Sequence, residues 1–192
     1  MSGSGLTRRA LLVAGAGTGA ALLSGCEDDV PVGSATANDE AALLRDLVVV
    51  EQAQVVVYEA AARRAGGAAR RRWTAQAQIE REHLRAIGDV LYRLGARAPK
   101  VVTGTPDLPR RDSELLGYLA DLEERSAAAW RSVIPRVSQD IVRIACVSIM
   151  GVEIRQAVWL RVAAGQAAPA VAPPPQALAD VLAAVRDTAR LA

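Results

Sequence analysis

The sequence contains no phenylalanine, one lysine, one histidine and two cysteines among its 192 residues. It shows no sustained alternation of apolar and polar residues, so a β-sheet protein is not expected. It offers no nucleophile–base set and no phosphate-binding glycine loop, which argues against many enzyme classes. Apart from Arg8 and Arg9, basic and acidic residues balance at 21 each. Without a basic groove, a nucleic-acid partner is not expected.

The amino terminus is predicted to direct export and lipid attachment. Residues 7–12 (TRRALL) resemble a twin-arginine signal, and the apolar run over 10–23 is too short to span a membrane comfortably. Residues 23–26 (LSGC) resemble a bacterial lipobox, which implies that Cys26 carries a diacylglycerol and further acyl lipid such as palmitate. We predict a signal peptide over 1–25 and a flexible tether over 26–39. An ordinary signal peptide, or an uncleaved anchor with an incidental cysteine, is the alternative.

The second cysteine is predicted to be a core residue. With Cys26 lipidated, Cys146 has no partner for a disulfide bond. It lies among Ile144, Ala145 and Val147 on a predicted helix, where a free cysteine behaves as a small apolar side chain.

Composition, together with helix-breaking glycine and proline residues, predicts an all-α protein with a single core. Hydrophobic residues make up 51% of the chain, and Ala, Leu, Arg and Glu, all strong helix formers, are common. Glycine and proline punctuation divides it into helices at about 39–64, 68–94, 112–135 and 138–164. A proline-rich link and an amphipathic tail helix occupy 166–192, and the tail could dock on the other helices or on a partner. The connection over 96–111 is long enough to run the length of a helix.

The pair Glu80 and His83 is the strongest candidate for a functional site. Both side chains leave one face of the second helix, because residues three apart are neighbours on a helix. That face is otherwise apolar, and burying a carboxylate and an imidazole there requires partners. A pair at the exposed edge of the apolar stripe is the alternative interpretation.

Each of the other three long helices also carries a glutamate in its apolar stripe. Glu51, Glu123 and Glu153 occupy these positions, whereas the neighbouring Glu124 falls on the polar face. From Glu51 to Glu80 is 29 positions and from Glu123 to Glu153 is 30, so each pair lies at one height of an antiparallel helix pair. The arrangement therefore repeats, with Glu153-x-x-Gln156 matching Glu80-x-x-His83.

Over residues 40–165 the chain resembles the ferritin-like superfamily, particularly the small exported domains of bacteria. The resemblance implies a four-helix bundle with one crossover loop, plus the short C-terminal helix, and a metal centre at mid-height. It implies that Glu51 and Glu123 are terminal ligands, that Glu80 and Glu153 are bridging ligands and that His83 is a nitrogen ligand. One or two ions of Fe or Mn are expected. A lipid anchor on the membrane favours a monomer or homodimer over a storage cage.

Gln156 departs from the ferritin-like pattern, because it occupies the position of the second histidine. An amide oxygen is a poorer ligand for iron than imidazole, so the second metal position is weakened. Two functions stay open: a metal-binding protein with weak ferroxidase-type activity, and a non-redox bundle that acts as a structural or partner-binding lipoprotein.

Four aromatic residues are interpreted as core residues. Tyr58, on the stripe of Glu51, is predicted to satisfy a backbone group, with a carboxylate partner or electron transfer as alternatives. The tryptophans are interpreted as packing residues: Trp73, Trp130 and Trp159.

Overall fold

A computed structural model describes residues 36–100, 102–168 and 173–191 of the chain. These residues form five α-helices, and their only β-type pairing is an isolated bridge between Gly104 and Leu191. The all-α prediction is confirmed, and the ends of the first four helices lie within about two residues of their predicted positions. The helices are α1 (Ala37–Arg64), α2 (Gly67–Arg93), α3 (Asp112–Val133), α4 (Asp140–Ala163) and α5 (Leu178–Ala189), with a 3-10 turn at Ile134–Arg136 after α3.

The predicted signal peptide 1–25, Cys26 and most of the tether 26–39 lie outside the described residues. None of the helices in the described part of the chain is long and apolar enough to cross a membrane.

The start of α1 and its junction with α2 follow from local sequence. Thr36 and Asp39 form a capping box, in which each side chain accepts a hydrogen bond from the other residue's backbone N–H. At the other end, Gly67 has a φ of 52°, a backbone conformation that glycine adopts at little cost. The chain therefore reverses between Arg64 and Gly67, and α1 and α2 pack side by side.

Contacts between the four long helices form a closed ring. The most extensive contacts join α1 with α2 and α3 with α4, and further contacts join α1 with α3 and α2 with α4. The core lies inside this ring and includes Cys146, which is fully buried and free as predicted.

The connection between α2 and α3 follows α1 along its length. Near its beginning, the carbonyl of Arg97 accepts a hydrogen bond from Arg45, and near its end, the carbonyl of Leu108 accepts one from Arg64. Between them, Gln52 bonds both the Lys100 carbonyl and the Val102 amide. Arg45 and Arg64 are 19 positions apart on α1, or about 28 Å.

A buried carboxylate joins the beginning of α1 to the beginning of α4. Glu40 is fully buried, and its Oε1 accepts hydrogen bonds from the Ser138 amide (2.7 Å), the Ser138 hydroxyl (2.7 Å) and the Gln139 amide (3.2 Å). A negative charge is favourable beside a helix N-terminus, and α4 has no side-chain cap of its own. Glu40 thereby fixes where α4 begins relative to α1.

The tail helix docks on the other helices. α5 packs against α1 and α3, and the Tyr118 hydroxyl on α3 donates to the Thr188 carbonyl over 3.0 Å. Gly104 pairs with Leu191, and a Cβ at position 104 would stand 2.3 Å from the Ala189 carbonyl oxygen. Only glycine fits where this connection and the tail approach each other.

Candidate metal centre

The four long helices bring their inward glutamates into one buried cluster. Glu51, Glu80, Glu123 and Glu153 are all fully buried, each from a different helix. His83 and Gln156 are each 7% exposed. All six residues predicted as ligands are therefore inside the ring of helices, in agreement with the repeated spacing in the sequence.

His83 stands at the meeting point of three carboxylates. Its Nδ1 lies 3.0 Å from Glu51 Oε2, 3.0 Å from Glu80 Oε2 and 3.1 Å from Glu153 Oε1. Only the contact with Glu51 has hydrogen-bond geometry. Glu80 Oε2 and Glu153 Oε1 are buried without a hydrogen-bond donor in the described part of the chain, which is unusual for carboxylate oxygens.

This set of atoms could hold a metal ion. One ligand atom from each of Glu51, Glu80, His83 and Glu153 lies within 4.8 Å of all the others. Two ligands on opposite sides of one such ion are about 4.2 Å apart, because each bond is about 2.1 Å. An imidazole with three carboxylates suits Fe or Mn better than a soft thiophilic metal. An ion among these atoms would also satisfy the two oxygens that no hydrogen-bond donor reaches.

Glu123, the remaining glutamate among the predicted ligands, faces a different set of partners. Its Oε1 accepts the hydroxyl of Tyr58, and its Oε2 lies 2.9 Å from the side-chain nitrogen of Gln54. That nitrogen also donates to Glu153 Oε2 over 2.6 Å. The prediction of a backbone partner for Tyr58 is therefore wrong, and the alternative of a carboxylate partner holds.

Gln156 is a hydrogen-bond donor in this arrangement. Its amide faces carboxylate oxygens, so we assign its nitrogen to that side. The nitrogen then donates to Glu80 Oε1 over 3.1 Å and to Glu123 Oε1 and Oε2 over 2.9 and 3.1 Å. The sequence predicts Gln156 as a ligand through its oxygen, and that role stays a prediction; with the amide assigned as above, its nitrogen faces the cluster.

Burial and mutual repulsion control the charges of the cluster. Burial, together with the charge of Glu153, raises the pKa of Glu51 to about 7 and raises the pKa of Glu80 and Glu123 as well. Burial also acts to raise the pKa of Glu153, but the neighbouring His83, Glu123 and Gln54 side chains outweigh it and lower that pKa. For His83, burial lowers the pKa while the surrounding carboxylates raise it to about 12.

In the metal-free cluster the surroundings therefore favour the charged forms of His83 and Glu153 and the protonated forms of the other carboxyls. A metal ion requires deprotonated ligands, so its binding must release these protons.

Two partners of the cluster were missed in the sequence. Gln54 lies three residues after Glu51 and four before Tyr58, which places all three on one helical face. That spacing could have identified it. Trp130 was assigned to packing alone, but its Nε1 donates to Glu51 Oε1 over 2.7 Å. A buried indole N–H needs an acceptor, and the helix pairing decides which one it meets.

The other two tryptophans lie on the periphery of the cluster. Trp73 is buried and stacks on Tyr58 with ring centroids 6.2 Å apart. Trp159 is 41% exposed and contacts the edge of Trp73, with the Arg72 guanidinium 5.1 Å from its centroid.

A surface pocket reaches the cluster at Gln156. It has a volume of about 360 Å³ and lies between α2 and α4, and Arg72, Arg155 and Trp159 are among its lining residues. Gln156 is the only residue of the cluster that lines it. Within the described residues, this pocket therefore brings the protein surface next to Gln156.

Comparison with protein-family models, with curated protein sequences and with solved structures found no match.

Proposed function

We propose that this chain is a ferritin-like four-helix bundle with one crossover connection. The support is the course of the chain: α1 and α2 are joined by a tight reversal, and the next connection returns along α1. Glu40 at the beginning of α1 holds the beginning of α4. A crossover of this kind makes the second and third helices run in the same direction, as in ferritin-like bundles.

The bundle serves, in this proposal, to bind Fe or Mn. One observation carries it: a single histidine nitrogen lies 3.0–3.1 Å from carboxylate oxygens on three helices, and two of those oxygens have no hydrogen-bond donor among the described residues. His83, Glu51, Glu80 and Glu153 would hold the ion. When bound, such an ion supplies one-electron redox chemistry, and weak ferroxidase-type activity is the activity proposed.

A second function is favoured by a specific observation. Gln54, Tyr58 and Gln156 satisfy the carboxylate oxygens that face away from His83. A cluster that is held by its own hydrogen bonds can stabilise a bundle without redox turnover. In this version the protein is a structural or partner-binding lipoprotein.

Export and lipid attachment belong to the proposal and rest on the sequence of residues 1–26. Palmitate labelling in a bacterial host is expected to mark the wild-type protein and not Cys26→Ala. Equal labelling of both would end the idea of a lipid anchor on the outer face of the cell membrane.

Metal content decides between the two functions. Full-length protein is purified from cells supplied with Fe and Mn, and bound metal is measured by mass spectrometry. Glu80→Gln is expected to lose most of the metal, because the substitution replaces a buried ligand with a neutral amide. Glu82→Gln, two residues along the same helix and exposed, is the matched control.

Metal-free wild-type protein with a normal helical spectrum would overturn the metal-binding proposal. Oxygen uptake after Fe(II) is added to the metal-bound protein would support ferroxidase-type activity. Its absence in protein that binds metal would favour the non-redox function.

A further inference from the structure

We propose that the centre holds one ion only, because the side-chain amides of Gln54 and Gln156 take the place of a second. This inference rests on the proposed metal-binding function. It concerns the capacity of the site and names the residues that limit it.

Seven of the eight carboxylate oxygens of the cluster divide into two sides, and the eighth, Glu51 Oε1, accepts a hydrogen bond from Trp130. On the histidine side are Glu51 Oε2, Glu80 Oε2 and Glu153 Oε1, all within 3.1 Å of His83 Nδ1. On the amide side are Glu80 Oε1, Glu153 Oε2 and both oxygens of Glu123. Glu80 and Glu153 thus contribute one oxygen to each side, as bridging carboxylates of a paired-metal centre do.

The two sides differ in their hydrogen bonds. Two of the three oxygens on the histidine side have no donor in the described part of the chain. On the amide side each oxygen has at least one donor. Gln54 serves Glu123 and Glu153, Gln156 serves Glu80 and Glu123, and Tyr58 serves Glu123. The oxygens on the amide side therefore already accept hydrogen bonds, whereas Glu80 Oε2 and Glu153 Oε1 on the histidine side accept none within the described residues.

An ion on the amide side would have to displace these donors. The Gln54 nitrogen is 2.9 and 2.6 Å from oxygens of Glu123 and Glu153, the two carboxylates that such an ion would need. An amide nitrogen has no lone pair to offer a metal. Displaced N–H groups would stay buried without acceptors, which is unfavourable.

Two residues, and not Gln156 alone, therefore exclude the second ion. Restoring a histidine at position 156 supplies a ligand but leaves the Gln54 amide between Glu123 and Glu153. We expect a second ion only when both glutamines are replaced, as in Gln54→Ala/Gln156→His. Gln54→Ala removes the bridging amide and leaves room beside both carboxylates.

The test is a titration of chelator-treated full-length protein with Mn(II). Bound metal per chain is measured by mass spectrometry after gel filtration, and electron paramagnetic resonance distinguishes isolated Mn(II) from a spin-coupled pair. Wild type and Gln156→His are expected to bind one isolated ion. Gln54→Ala/Gln156→His is expected to bind two coupled ions. Gln166→His, which adds an exposed histidine beside Arg161, controls for the extra imidazole.

Each outcome decides the inference. Two coupled ions in wild type or in Gln156→His would overturn it and leave the proposed metal-binding function intact. No ion in any variant would overturn both. One ion in the folded double variant would show that Gln54 and Gln156 are not what limits the capacity. If the double variant does not fold, wild type and Gln156→His still give the decisive stoichiometry.

Discussion

The metal-free protein should become less stable as the pH rises from about 4.5 to about 7. Burial raises the pKa of Glu51 from 4.5 in the unfolded chain to about 7 in the folded protein. Over that interval the unfolded chain has released this proton while the folded protein retains it, so unfolding becomes more favourable as the pH increases. The raised pKa of Glu80 and of Glu123 acts in the same direction.

Two other groups of the cluster act outside or at the edge of this interval. The stability that His83 contributes is complete below pH 6.5 and is lost as the pH rises toward its folded-state pKa of about 12. Glu153 has a lowered pKa, so its contribution is present above about pH 4.5 and is lost only in stronger acid. Neither His83 nor Glu153 therefore reverses the predicted fall in unfolding free energy between pH 4.5 and 7.

The contribution of Glu51 to the pH dependence of the unfolding free energy can be estimated from its pKa. Each pKa unit corresponds to about 1.4 kcal/mol, so a change from 4.5 to about 7 corresponds to about 3 kcal/mol. Unfolding free energies of domains are about 5–15 kcal/mol. The effect is large enough to measure.

The assay is urea unfolding followed by circular dichroism, with chelator present, between about pH 5 and about pH 7.5. The fall in unfolding free energy across this range should be smaller by about 2 kcal/mol in Glu51→Gln than in wild type, because part of the effect lies outside it. Glu82→Gln controls for the loss of one carboxylate from an exposed position. With excess Mn(II) the wild-type dependence should reverse, because the metal binds the deprotonated ligands. An equal fall in unfolding free energy in Glu51→Gln and in wild type would refute the reasoning.

Two further predictions concern the elements that hold the site in place. Glu40→Ala should lower the unfolding free energy by about 2–3 kcal/mol, because the beginning of α4 loses a buried acceptor of three hydrogen bonds. Calorimetry should show a melting temperature lower by about 5–10 °C. Gly104→Ala should detach or displace the end of the tail helix, because its Cβ would stand 2.3 Å from the Ala189 carbonyl oxygen. Amide hydrogen exchange in α5 should increase by at least about tenfold, while exchange among the core residues of the four long helices stays slow.

Both predictions have matched controls. Glu114→Ala removes an exposed glutamate from the first turn of α3 and should change stability far less than Glu40→Ala. Gly88→Ala adds a methyl group on α2 where it meets no other atom within 4 Å, so exchange in α5 should match wild type. An unchanged melting temperature in Glu40→Ala, or unchanged exchange in Gly104→Ala, would contradict the roles assigned to these residues.

The positions of the four glutamates could be predicted because they depend on local periodicity. The apolar stripes place Glu51 and Glu80 on inward faces, and a nearly equal spacing relates Glu123 and Glu153. An α-helix converts such spacing directly into direction and height. Helix ends could be predicted for the same reason, since the breakers act on neighbouring residues.

The hydrogen-bond partners could not be predicted from spacing. The backbone partner predicted for Tyr58 was wrong, and the hydrogen bond of the buried Trp130 was missed, because each side chain reaches a residue far along the chain, Glu123 and Glu51 respectively. Which acceptor a buried donor meets depends on how the helices are rotated against each other, and packing of the whole core sets that rotation.

The sequence by itself determined that the protein is helical and which carboxylates point inward, since both follow from interactions within a few residues. Only the tertiary structure decided how the cluster divides its oxygens. His83 meets three carboxylates, two of whose oxygens have no hydrogen-bond donor among the described residues, while Gln54 and Gln156 reach the opposite oxygens as donors. That difference arises because buried polar groups must find partners wherever the packed helices bring them.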